Sequence, residues 1–367
     1  MSLSKATKVG TAKFSERFGN VSKGHFREAN GLRLSSIGVG TYLGNWDEET
    51  DAAYAAAIES FVRAGGNVID TAANYRFQRS ERSIGTALNE LANAFAREEL
   101  FISTKGGYLP FDGEPVPDVE AYFEREFVSK GIAGKDDLVG GSHCMAPDYL
   151  ESQIEQSLRN MGIEAVDLFY IHNPESQLAA VDRYTFEARI GKAFERLEDL
   201  RSKGKIGAYG VATWNGFRVS PDERGYHSLE GFVRTANQIA GEDHGFRYVQ
   251  LPYNLAMPEA YLVPNQSANG RAVTLLQAAS DLGVTVMASA SILQGQLAQN
   301  VPIYVRGVLG NQTTDAMTSI QFVRSTPGIT TALVGMSSVA HVEENMRLAS
   351  VEPTDENSFA ELFTKDA

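Results

Sequence analysis

The feature that most narrows the folds open to this chain is a unit repeated along it: a short apolar run, then apolar residues at helical spacing, then often a glycine. Ser36–Thr41 is followed by Tyr54, Ile58, Phe61 and Val62 on one helical face, ended by Gly65-Gly66. Val68-Ile69-Asp70 is followed by Ile84, Ala87, Leu88, Leu91 and Phe95. Leu100–Thr104, ending in Lys105, is followed after a long insertion by Leu150, Ile154, Leu158 and Met161, with Pro147 where the helix can begin. Val166–Ile171, ending in His172, leads to Ile190, Ala193, Phe194, Leu197 and Leu200, capped by Gly204. Later runs are Ala208–Ala212, Tyr248–Leu251, Val284–Ala288 and Thr331–Val334, with helices predicted near Leu229–Ile239, Arg271–Leu282, Thr314–Ser325 and Val339–Leu348.

Consecutive apolar positions read as strands buried on both faces, and their alternation with amphipathic helices implies a parallel sheet covered by helices. Eight such units predict an α/β fold, a single (β/α)8 TIM barrel, normally about 250 residues before insertions. The surplus in this 367-residue chain falls after the third, fourth, sixth and seventh strands. Those long loops lie at the C-terminal face, where such barrels keep their sites. Residues 26–367 thus form the barrel domain, with an insertion at about 106–145 whose aromatics suggest a lid. Asn30-Gly31 predicts an N-terminal β-hairpin of Phe26–Ala29 and Leu32–Leu34. Residues 1–25, basic at Lys5, Lys8, Lys13, Arg17 and Lys23, read as an extension on the surface or poorly ordered, with a transit-like leader as the alternative.

A net charge of −13 argues against nucleic acid or an anionic membrane as partner, since both require a basic face. No apolar run is long enough to span a bilayer. Cys144 is the only cysteine, so no intrachain disulfide can form and a reducing, cytoplasmic setting is expected. His143-Cys144 is too sparse for a metal site and reads as loop packing.

Asp70, Lys105 and His172 each end an apolar strand at the predicted mouth, and Tyr75 follows Asp70 by five residues. Neighbouring strands let the four converge. Lys105, paired with Asp70, would be held charged beside Tyr75 and lower its pKa. Such a phenol can give a proton to a carbonyl oxygen or take one from an alcohol, with His172 orienting the carbonyl. The plainer reading is a buried ion pair joining two strands, beside an unrelated tyrosine and histidine.

Val-Ile-Asp-Thr-Ala-Ala-Asn-Tyr at 68–75, Ile-Ser-Thr-Lys at 102–105, Asp-Leu-Phe-Tyr-Ile-His at 167–172 and Glu-Glu-Asn at 343–345 stand in this order. With them the chain, from about Gly31 to Asn345, resembles the aldo-keto reductases. The resemblance implies a catalytic tetrad of Asp70, Tyr75, Lys105 and His172. It implies NADPH, with NADH as the alternative, lying across the barrel mouth. Hydride transfer would reduce an aldehyde or ketone, or oxidise the matching alcohol, with Tyr75 as general acid or base; the substrate would be a small carbonyl or sugar-like molecule. By position, Gly40, Thr41, Tyr42 and Asp70 would meet the nicotinamide and Gln250 its carboxamide. Ser291 to Leu297, with Gly295, matches the pyrophosphate loop. Gly335, Ser337, Ser338, His341, Glu344 and Asn345 match the adenosine end, though the serines could instead cap the last helix.

Three positions depart from the family pattern. Ala212-Thr213 stands where Ser-Asn commonly holds the carboxamide, Ser289 where an aromatic commonly stacks on the nicotinamide, and His341 in place of the usual 2′-phosphate cation. Trp214 or Tyr253 is a candidate for the lost stacking. Gly38 to Gly44 mimics a wound-sheet dinucleotide loop, but Asn45, Trp46 and Asp47 intervene before any helix. Tyr42, Trp46, Phe77, Tyr108 and Trp214 are candidates for a substrate wall. The rival function is a cofactor-binding regulatory subunit with little turnover, like the potassium-channel β-subunits that resemble this family.

Overall fold

In the computed structural model, which describes residues 5–364, the predicted apolar runs become strands. β1 (Phe26–Ala29) and β2 (Leu32–Ser35) pair antiparallel, with Asn30 and Gly31 at φ 49° and 78° as a primed turn requires. β3 (Ile37–Gly40), β4 (Val68–Asp70), β5 (Phe101–Gly106), β6 (Val166–His172), β7 (Ile206–Ala212) and β8 (Phe246–Pro252) follow in order around a closed parallel barrel. β9 (Gln266–Ala268) and β10 (Arg271–Val273) form a small outer hairpin, and β11 (Thr285–Ser289) and β12 (Ile329–Gly335) complete the ring. The fold is the expected (β/α)8 barrel with an N-terminal hairpin.

Side-chain alternation along the strands produces two cores. Val68, Phe101, Leu168, Tyr170, Tyr248, Met287 and Leu333 pack inside with Ala29 and Leu34 of the hairpin, which plugs the N-terminal end. Ile69, Ile102, Phe169, Ile171, Val249 and Val286 pack outward with helical residues such as Ile58, Ile84, Ile154 and Phe194. Each fully buried aliphatic side chain contributes about 1.5–3 kcal/mol. With apolar residues filling the barrel from below, the inward positions left at its top are polar: Asp70, Ser103, Lys105, His172 and Gln250.

Three local expectations differ from the structure: one helix, the distribution of the long loops and the placement of the insertion. Arg271–Leu282 is not one helix, because Asn269-Gly270 (φ 52° and 73°) turns Arg271–Val273 back onto Gln266–Ala268. The helix begins only at Leu275, behind a Thr274–Gln277 capping box. The connection after β6 is only 173–182, and the fifth strand rather than the fourth carries a longer loop, 213–228. In the N-terminal extension, Lys8–Glu16 is a helix capped by Thr7, with Phe14 buried against Phe18, Phe26 and Phe95; residues 1–4 of that extension lie outside the described residues. The insertion flanks the mouth instead of covering it: Phe123 and Phe127 pack on Tyr149 of the helix Pro147–Met161, and only Tyr108 among residues 107–145 reaches the central cavity.

Candidate active site

β4 is three residues long, so Asp70 stands one inward step above Val68 and meets the polar ends of its neighbours. Its Oδ2 accepts from Lys105 Nζ at 2.5 Å, and its Oδ1 accepts from Ser103 Oγ at 2.7 Å and Gln250 Nε2 at 2.9 Å. Lys105 also donates to the Thr71 carbonyl at 2.8 Å. A buried ion pair is tolerated when further hydrogen bonds satisfy its remaining lone pairs and protons, and this one has them. Burial works against the ammonium, but Asp70 and Tyr75 outweigh it and raise the Lys105 pKa.

Lys105 Nζ sits 4.9 Å from the centre of the Tyr75 ring. The phenol pKa is nevertheless raised, because burial outweighs the downward pull of Lys105 and Asp70 adds to the rise. This corrects the expectation of a phenol lowered by Lys105: desolvation of the phenolate is the larger effect. The His172 ring lies 5.8 Å from Tyr75 and 5.1 Å from Tyr108. Burial, then Lys105 and His143, hold its pKa well below 6.5, so its imidazole is neutral. Asp70, Tyr75 and His172 line one cavity of about 900 Å³, with Lys105 directly behind them. No group of three or more His, Cys, Asp or Glu among the described residues is placed to hold a metal ion.

A model of the aldo/keto reductase family matches residues 36–220, half of the chain and the half that carries all four residues. The chain belongs to the aldo/keto reductase family. Relatives include an NADH-specific methylglyoxal reductase of Escherichia coli, 27% identical over 186 residues (49% of either chain). Another is a D-threo-aldose 1-dehydrogenase of a Pseudomonas species, 27% identical over 187 residues (50% of this chain, 52% of the relative). The chain thus matches about half the length of these curated relatives. An aldo/keto reductase from Klebsiella pneumoniae, solved with NADP and acetate, shares the fold at TM-score 0.61 and 18% identity, over 94% of this chain and 97% of that one.

The residues that family resemblance assigns to a cofactor fall along the same cavity. Gly40, Thr41, Tyr42, Thr213, Gln250, Ser289, Ser291, Gly295, Gly335, Ser337, His341, Glu344 and Asn345 all line it. Two do not: Leu297 gives its carbonyl to Ser319, and Ser338 caps the helix Val339–Asn345. The cavity fits a polar ligand, since buried Thr213 Oγ1 and Asn345 Oδ1 lack partners and a Cβ at Gly295 or Gly335 would meet only open space. Of the aromatic candidates, Tyr42, Tyr108 and Trp214 line it; Trp46 and Phe77 pack on each other at 5.3 Å, outside the lining. Tyr253 cannot replace the missing stacking residue, being buried face to face with Phe322. Trp214 is 40% exposed and lines the cavity.

Sequence reasoning missed the scaffold beneath the site. Arg76, Phe77 and Gln78 take left-handed φ values of 47°, 56° and 70° directly after Tyr75. Arg76 bonds the Asn45 carbonyl at 2.7 Å and Asp51 at 2.5 Å, with its guanidinium over Tyr54. Glu175 accepts the backbone N–H groups of Trp214 and Asn215 at 2.7 and 3.1 Å, fixing the loop after β7. His143, set aside above as loop packing, bonds the His172 carbonyl through Nε2 at 2.7 Å. None of these has a local motif, because each acts between segments far apart in the chain.

Proposed function

We propose that this protein is an NAD(P)H-dependent oxidoreductase that reduces an aldehyde or ketone, or oxidises the matching alcohol. The observation that carries the reading is a phenol, an ammonium–carboxylate pair and a neutral imidazole gathered at one cavity of about 900 Å³. When bound, the nicotinamide supplies or accepts the hydride. Tyr75, protonated at neutral pH, gives its proton to the developing alkoxide oxygen; Lys105, held charged by Asp70, stabilises the phenolate left behind. His172 donates a hydrogen bond that orients the carbonyl. In the oxidising direction the same phenol removes the alcohol proton.

Tyr42, Tyr108 and Trp214 frame an open rim beside Asn74 and Asn173. Aromatic faces with amide side chains suit a polyhydroxylated, sugar-like carbonyl, and one relative is named a 6-dehydroglucose reductase, another the aldose dehydrogenase above. A reducing, cytoplasmic setting suits the buried lone thiol of Cys144. No helix among the described residues is long and apolar enough to cross a membrane.

Nicotinamide fluorescence titration followed by turnover on a panel of aldehydes, ketones and aldoses tests the proposal. Binding with turnover supports it. Tight binding with no turnover on any carbonyl or alcohol favours the regulatory-subunit reading, and no binding removes both.

A further inference from the structure

The loop after β7, residues 213–228, carries Thr213 and Trp214 to the cavity. A loop of this length without secondary structure of its own is commonly a lid or a mobile segment. This one is pinned along its course. The Thr213 N–H donates to the Gln250 carbonyl at 2.9 Å, and Asn265 Nδ2 donates to the carbonyls of Phe217 and Val219, each at 2.9 Å. Arg218 pairs with Glu259 at 2.6 Å, and Phe217 between them is fully buried.

One carboxylate joins the two ends of the loop. Glu175 Oε1 accepts the Trp214 and Asn215 N–H groups, and its Oε2 faces His227 Nε2 at 3.5 Å. His227 is buried, with its ring stacked on Phe186 at 5.2 Å and its N–H bonded to the Gly216 carbonyl at 2.7 Å. Closure requires glycine at 216, since a Cβ there would overlap the His227 ring. Burial pushes the Glu175 carboxyl up, but His227 and the Asn215 N–H group outweigh burial and hold it below the ordinary carboxylate range, so it is ionised at neutral pH. An ionised acceptor binds N–H groups more strongly than a neutral one. Among the described residues the Trp214 indole makes no hydrogen bond and stacks on no other ring. Its backbone, held by Glu175, therefore sets where it stands on the cavity.

On the reading of this cavity as a carbonyl or alcohol site, we infer that Glu175 is a positioning residue for the substrate: through the Trp214 backbone it presets the indole as a wall of the substrate site, and the loop forms that wall without having to close. A preset wall adds to affinity because the loop loses no further freedom on binding. It acts alike on ground state and transition state, so its loss shows in KM and not in kcat.

The test is steady-state reduction of an aldehyde or aldose at saturating dinucleotide. It compares the unmodified protein with Glu175→Ala, Glu175→Gln, Trp214→Ala and the double variant Glu175→Ala/Trp214→Ala. Glu175→Ala is expected to raise KM about tenfold, with kcat and dinucleotide affinity within about twofold. Glu175→Gln, which keeps an oxygen for the two N–H groups, is expected to restore most of the loss. The double variant is expected to match Trp214→Ala, because the carboxylate acts through the indole. An unchanged KM in Glu175→Ala, or effects that multiply in the double variant, overturns the inference. A joint loss of kcat, KM and dinucleotide binding also overturns it, by showing a carboxylate that only holds the fold. Weaker dinucleotide binding at unchanged KM overturns it by placing the indole on the cofactor. If Glu175→Ala does not fold, Glu175→Asp, which draws the carboxylate back by one methylene, is expected to raise KM in the same direction, and an unchanged KM there overturns the inference. Trp46 is the only other tryptophan, so in a Trp46→Phe background acrylamide quenching reads Trp214 alone and is expected to rise when Glu175 is replaced. If the unmodified protein turns over no carbonyl or alcohol, the proposed function and the substrate role of Trp214 fall together, while quenching still decides whether Glu175 holds the indole.

Discussion

Gln250 Nε2 donates to Asp70 Oδ1 over 2.9 Å, so the carboxylate at the end of β4 is gripped from β8, diametrically across the barrel. Family resemblance assigns Gln250 to a cofactor carboxamide, and it does line the cavity; the structure adds that its amide N–H group also holds the Asp70–Lys105 pair. Gln250→Leu removes one of the two hydrogen bonds to Oδ1 and leaves a buried carboxylate oxygen under-satisfied. That should cost about 1–3 kcal/mol of stability and weaken dinucleotide binding as well. A urea melt and a fluorescence titration check both, and an unchanged melt would show that the bond contributes nothing.

Arg76 holds a stretch of backbone that no sequence pattern announces. Three successive left-handed residues after Tyr75 cost about 1–2 kcal/mol each, and Arg76 offsets part of this through Asn45, Asp51 and Tyr54. Arg76→Ala should lower the melting temperature and reduce kcat by about tenfold or more as Tyr75 loses its position, with dinucleotide affinity less affected. Loss of affinity and kcat in equal measure would contradict a role specific to Tyr75.

The raised pKa of Tyr75 sets the pH dependence of the reaction. Carbonyl reduction needs the protonated phenol, so its rate should hold through the neutral range and fall only above the ordinary phenol value of 10. Alcohol oxidation needs the phenolate and should rise with pH over the same range. A reduction rate that falls between pH 7 and 9 would mean that the downward pull of Lys105 outweighs burial.

Two buried histidines make the fold acid-sensitive. His25 and His143 are fully buried, and burial is the first cause lowering each from 6.5 to about 4. The unfolded chain therefore takes up these protons first as pH falls. Their contribution is complete above about 6.5 and is lost progressively down to about 4, at about 1.4 kcal/mol per pH unit for each histidine. Urea midpoints at pH 7 and pH 5 should differ less in His143→Gln than in the unmodified protein. An identical pH difference in both would show that His143 is not buried as a neutral base.

The barrel was legible because its cause is repeated: eight apolar runs, each followed by a helical face, leave few alternatives to a closed parallel sheet. Asp70, Lys105 and His172 were legible because each ends such a run, and a strand end of known direction places its side chain at the mouth. What was not legible depends on contacts between distant segments. The packing of Phe123 and Phe127 on Tyr149, which turns the insertion aside, and the Glu175 grip on Trp214 have no local spacing to reveal them. Asn269-Gly270 carries the same turn signal as Asn30-Gly31, but the helical period that runs on behind it masks the hairpin. The direction of the Tyr75 shift depended on how deeply the phenol is buried, a quantity set by the whole rim.

The most direct measurement compares single-turnover reduction of an aldehyde or aldose by the NADH- or NADPH-loaded protein with that of its Tyr75→Phe variant. Tyr75→Phe should lower the rate by about 10²- to 10⁴-fold while the dinucleotide binds as before. Equal rates in the two proteins would show that the proton comes from another group and would contradict the account.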